Sequence, residues 1–96
     1  MKGKYVIVRT ENAGVFAGVL EEEKERNVIL KNARRLWYWS GANSLSDLAV
    51  NGVSNPKGCK FPIKVKKIKL TQVIEIIEVS KKGQQSINNV PIWTRH

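Results

Sequence analysis

The sequence predicts a mainly β (α+β) fold: a small twisted antiparallel sheet or partial barrel carrying one or two short helices. Three observations predict it. Runs rich in β-branched and aromatic residues recur at strand length. Clusters of Gly, Asn and Pro separate them at short spacing. Long amphipathic helices do not alternate with them, as a βαβ architecture would require. At 96 residues the chain makes one domain, 1–96, with a thin core. Oligomerisation is a natural way to bury more apolar surface, and a homo-oligomer is expected.

Lys4 to Thr10 (KYVIVRT) reads as the first strand, with Tyr5, Ile7 and Arg9 on one face and Val6 and Val8 on the other. Asn12-Ala13-Gly14 is a turn signal. Val15 to Glu22 reads as the second strand, and Gly18 inside it marks a bulge or a close backbone approach. Glu21 to Arg26 (EEEKER) reads as a solvated hairpin tip, because apolar alternation stops before it and resumes after it. Asn27 to Asn32 is the returning strand.

Ala33 to Trp39 (ARRLWYW) reads as a further strand. Alternation sets Arg35, Trp37 and Trp39 on one face, and Arg34, Leu36 and Tyr38 on the other. Ser44 to Val50 reads as a short helix with Ser44 as N-cap, Asp47 at the capping-box position and Asn51-Gly52 as the stop. Ser54 to Pro62 is a loop with two prolines and a glycine. Lys64 to Lys69 (KVKKIK) is a basic extended stretch, whose lysines would also deter edge-to-edge pairing. Gln72 to Val79 is a strand whose near-continuous apolar character predicts burial on both faces except at Glu75 and Glu78. Ser80 to Asn88 reads as a weak helix interrupted by Gly83, and Val90-Pro91-Ile92-Trp93 as an apolar tail that docks on a neighbouring subunit.

Charge narrows the partner. The formal net charge is +9, and it is uneven. Residues 1–48 hold 8 basic and 6 acidic side chains; residues 49–96 hold 9 basic and 2 acidic. Such a balance favours anionic partners. The longest apolar runs are far too short to span a bilayer, so no membrane partner is expected. A single cysteine, Cys59, and the lack of a signal-peptide pattern at the start predict a reducing, cytoplasmic setting.

The sharpest constellation is Arg34, Arg35, Trp37, Tyr38 and Trp39. Guanidiniums pair with phosphate oxygens through bidentate hydrogen bonds, and indole faces stack on bases. A domain this small must also bury large side chains somewhere, so two of the three aromatics have a core reading as well. The ligand face is expected to be Arg35, Trp37 and Trp39, with Tyr38 and Leu36 inward. Arg34 is placed in the wider ligand-binding set. Ser54 to Lys60 offers amides, a hydroxyl and two lysines, which adds Asn55 and Lys60 as candidates. The same composition also describes an ordinary connection.

Catalytic sets are missing from the pattern. His96 is the one histidine and the last residue, with no cysteine or carboxylate close in sequence to complete a triad or a metal set. Glu75 and Glu78 are three apart, so on a strand they face opposite ways. The expectation is a binding protein and not an enzyme, with no cofactor and no metal.

The blocks YVIVRT, GVFAG, LKNARRLWYW, GVSNP, FP, QVIEII and PIWT together resemble a family of small proteins encoded by bacteriophages and prophages. The likeness runs over nearly the whole chain, and ARRLWYW is its most specific part. The chain is similar to the anti-CBASS-type sponge proteins by which phages defeat nucleotide-signalling immunity. That resemblance implies an oligomeric protein of the host cytoplasm that binds a cyclic nucleotide second messenger and does not hydrolyse it. Two other readings stay open. A small basic module could bind single-stranded nucleic acid along KVKKIK, or an interaction protein could block a host enzyme through its aromatic patch.

Overall fold

A computed structural model describes residues 1–94; His96 lies outside the described residues. Five antiparallel strands form one open sheet: β1 (Tyr5–Thr10), β2 (Val15–Lys24), β3 (Asn27–Arg35), β4 (Val65–Leu70) and β5 (Val73–Glu78), in the order β4-β3-β2-β1-β5. Two helices join them, α1 (Leu45–Asn51) between β3 and β4 and α2 (Lys81–Asn89) after β5. The mainly β fold class holds.

Alternation along β1 feeds two cores. Tyr5 and Ile7 point into one, with Leu36, Leu48, Phe61 and Ile87, beneath the helices. Val6 and Val8 point into the other, with Phe16, Leu20, Leu30 and Leu70. Among the described residues no helix contributes to this second core. Both edge strands reach it, through Ile68 and Leu70 from β4 and Val73 and Ile76 from β5. The sheet must therefore curl around it. The β5 start is also tied to the β2–β3 hairpin tip, where Val73 N donates to Arg26 O at 2.8 Å.

The β2–β3 ladder shifts register between Ala17 and Val19. Gly18 sits in that gap, and a Cβ there would lie 2.9 Å from Lys31 O and 3.1 Å from Ala33 Cα. The close approach read from the sequence is what requires glycine. The hairpin tip is tighter than expected: Lys24 pairs with Asn27, and Glu25 turns the chain at φ 56°.

Three expectations change. ARRLWYW is not a separate strand. β3 runs on through Ala33, Arg34 and Arg35, with Asn32 at φ 49° absorbing a twist, and leaves the sheet after Arg35. β5 is an edge strand, not a doubly buried one, and Ile74 is 45% exposed. Its apolar run reflects a sheet with two cores, which draws Ile77 to one side and Ile76 to the other.

Third, α2 is a regular helix that Gly83 does not interrupt. A Cβ at Gly83 would sit 2.3 Å from Ala49 O, so the glycine lets α2 press against the end of α1. Ser80 caps α2 through Gly83 N (2.9 Å) and donates to Val50 O (2.6 Å), locking the two helices together. Ser44 caps α1 as expected, accepting from Asp47 N at 3.1 Å. The tail folds back on its own chain: Val90 is buried, and Trp93 N donates to Phe61 O at 3.0 Å.

Candidate nucleotide site

After Arg35 the chain crosses the end of the sheet, and the side chains that follow spread outward. Leu36 turns into the helical core, as expected. Trp37 is 59% exposed. Tyr38 is 54% exposed, not inward. The inward position failed because strand alternation stops at Arg35 and Tyr38 keeps only an isolated bridge to Lys60. Trp39 is half-buried and rests its ring on the helical core.

Arg35, Trp37 and Trp39 nonetheless converge. They line one open concavity of about 600 Å³, bordered also by the Asn12–Gly14 turn and Pro62. Arg35 is preorganised in two ways. Its Nη1 donates to Ala13 O at 2.8 Å, and its Cζ lies 4.4 Å from the centre of the Phe16 ring. One bond leaves the other guanidinium donors for a ligand. The Asn12-Ala13-Gly14 turn was read only as a turn; its part in anchoring Arg35 depends on a pairing across β1, β2 and β3 that no local pattern announces.

Lys60 stands beside Trp37, outside the lining of the concavity. Its ammonium lies 5.4 Å from the Trp37 ring centre, 5.8 Å from Tyr38 and 5.7 Å from Trp93. Trp93 meets Trp37 edge-on, at 4.9 Å between centres and 63° between planes. Cation–π contact with three rings holds this lysine close to the indole, with no carboxylate partner among the described residues. Trp37 thus lines the concavity that holds Arg35 and also lies beside the Lys60 ammonium. Trp93 is a site residue that sequence reasoning assigned to assembly.

Arg34 does not belong to this site. It is 1% exposed and spends its guanidinium on the fold. Nε donates to Pro62 O (3.1 Å), Nη1 to Ile87 O (2.8 Å) and Nη2 to Phe61 O (3.1 Å), while Cζ lies 5.5 Å from the Phe61 ring centre. These bonds satisfy three carbonyls and tie β3 to the 61–62 segment and to α2. Burial pushes its pKa down, and the neighbouring Tyr5 and Cys59 push it back up. Burial likewise pushes the Tyr5 hydroxyl up to about 12, against the pull of Arg34.

Asn55 is also apart from the concavity. Its Nδ2 donates to Ser40 Oγ at 3.1 Å. The loop around it is consumed by internal bonds: Ser54 N to Gly41 O, Gly58 N to Asn55 O, Cys59 N to Pro56 O and Lys60 N to Tyr38 O. Amides already committed to carbonyls cannot cradle a phosphate, so the loop is a braced connection. Among the described residues no three His, Cys, Asp or Glu side chains gather as a metal set.

A domain of unknown function, DUF6948, matches residues 3–87. No curated protein and no solved structure matches the chain.

Proposed function

The chain belongs to the DUF6948 family, and from that premise we propose that it is a nucleotide-binding protein that sequesters a cyclic nucleotide or oligonucleotide signal and leaves it intact. The observation that carries this reading is the convergence of Arg35, Trp37 and Trp39 on one concavity. A phosphate beside Arg35 places its base within reach of an indole. Lys60 beside Trp37 supplies a second cation for a ligand with a second phosphate. The resemblance to phage sponges gives this chemistry a setting, the blocking of a bacterial defence that signals with such nucleotides.

Single-strand binding along the lysines is less well supported. Glu21 stands between Lys31 and Lys67, 3.8 Å and 3.4 Å from their ammonium groups, and interrupts the basic track there.

The test is a thermal-shift and calorimetric screen against cyclic dinucleotides, cyclic trinucleotides, ADP-ribose derivatives and short single strands. A cyclic nucleotide that binds the parent and is lost with Arg35→Ala supports the proposal. The bound ligand, released by denaturation and chromatographed, should be recovered unchanged. Recovery of a linearised product, or affinity for single strands alone, overturns it.

A further inference from the structure

Arg35 borders a second hollow. An open cleft of about 220 Å³ is lined by Phe16, Ala33, Ile63, Val65 and Ile68, and it shares Arg35 and Pro62 with the concavity of Trp37 and Trp39. Strand pairing explains its place. Phe16 lies opposite Arg35 in the β2–β3 ladder, and Ala33 lies opposite Val65 in the β3–β4 ladder. Phe16, Ala33 and Ile68 belong to the second core, so the cleft is where that core opens at the end of β3. Part of its apolar wall is in contact with water: Ile63 is 67% exposed and Val65 43%. Among the described residues Arg35 is the one charged side chain in the lining.

Alone, the cleft is smaller than the roughly 300 Å³ at which small-molecule sites begin. Joined to the larger concavity it has a use. A phosphomonoester carries one nucleoside, whereas an internucleotide phosphodiester carries one on each side. Arg35 lines both hollows. Ala13 O holds its Nη1, while Nε and Nη2 make no hydrogen bond among the described residues and are left for phosphate oxygens. We propose, resting on the nucleotide reading above, that the ligand is a phosphodiester-linked nucleotide with at least two bases. Arg35 holds the linkage, one base lies at Trp37 and Trp39, and the next packs in the cleft of Ile63, Val65 and Ile68. The two subsites differ in chemistry. The indoles stack on a base. The cleft removes a second base from water by aliphatic contact, with no side chain except Arg35 to read its edge.

The test titrates the whole chain with cyclic di-AMP, cyclic di-GMP and cyclic tri-AMP, beside cyclic AMP, cyclic GMP and ADP-ribose, which carry one base each. At least one of the first three should bind about tenfold or more tighter than every one-base compound, the worth of one further packed base. Ile63→Ser/Val65→Thr should bring that ratio towards one, with circular dichroism reporting that the variant is folded. In the methyl-labelled parent, the ring current of the second base should shift the Ile63 and Val65 methyl resonances, a readout that needs no variant. One-base compounds that bind as tightly, a ratio that survives the double substitution, or methyl resonances that stay in place overturn the two-subsite proposal and leave the Arg35–indole reading standing. If none of the six compounds binds, both fall.

Discussion

Arg34 and Arg35 are adjacent, identical in type and opposite in role. Strand alternation separates them onto two faces, and that much is legible from the sequence. What alternation cannot show is that the inner face of Arg34 is a closed core. Three carbonyls, from Phe61, Pro62 and Ile87, converge there across long sequence separations. The two arginines should therefore fail differently. Arg34→Lys retains charge but cannot reach three carbonyls with a planar fork. Leaving buried carbonyls unpaired costs about 1–3 kcal/mol each, so its urea midpoint should fall sharply. Arg35→Lys should unfold near the parent midpoint, because Arg35 is exposed and makes one hydrogen bond to Ala13. Its nucleotide affinity should drop about ten- to a hundredfold, the loss of roughly 1.5–3 kcal/mol expected for a charged hydrogen bond. Parallel denaturation and calorimetry on the two variants separate the roles. Equal loss of binding in both, at unchanged stability in both, would contradict the assignment.

At the scale of elements, the helices show where local signals suffice. Ser44, Asp47 and Gly52 marked α1, and each acts at its expected place. The detail differs: Asp47 accepts from Asn43 N (3.0 Å) and from Asn51 Nδ2 (2.8 Å), one residue earlier than a reciprocal capping box. Those bonds, the Asn51 one foremost, hold its carboxyl below the usual 3.8. A depressed folded-state value means that the ionised form favours the fold. The contribution is complete above the ordinary carboxylate value and fades as pH falls through the lower one. Asp47→Asn should flatten that part of the acid limb of a stability-versus-pH curve; an unchanged limb would show that the bonds do not discriminate between charged and neutral forms. α2 was underestimated because Gly83 reads locally as a helix breaker. Its reason lies in another helix. Gly→Ala inside a helix ordinarily gains about 1 kcal/mol, yet here the new methyl would meet Ala49 O at 2.3 Å. Gly83→Ala should lower the melting temperature instead, and a rise would show that the two helices can part without loss.

For the whole molecule, the five strands were legible as local patterns, but ARRLWYW reads as a strand of its own where it is the end of β3 and the segment beyond. A curved sheet or partial barrel was legible too; which strands close it was not, because β4 and β5 meet only over a shared core. The converging site follows the same division. Arg35, Trp37 and Trp39 were legible as neighbours in sequence, whereas Ala13, Pro62 and Trp93 come to them through the fold. The Asn12–Gly14 turn, the end of β3 and Pro62 shape the concavity, and the lysines of β4 lie outside it. The Lys66→Glu/Lys69→Glu variant should therefore still bind a cyclic nucleotide, with affinity reduced only through long-range charge, a reduction that shrinks as salt rises. A ligand at 100 times its dissociation constant should stabilise parent and variant alike by about 2.7 kcal/mol. If the variant loses all ligand-induced stabilisation at high salt while remaining folded, the β4 lysines bind the ligand directly, and Arg35 with its two indoles forms only part of the site.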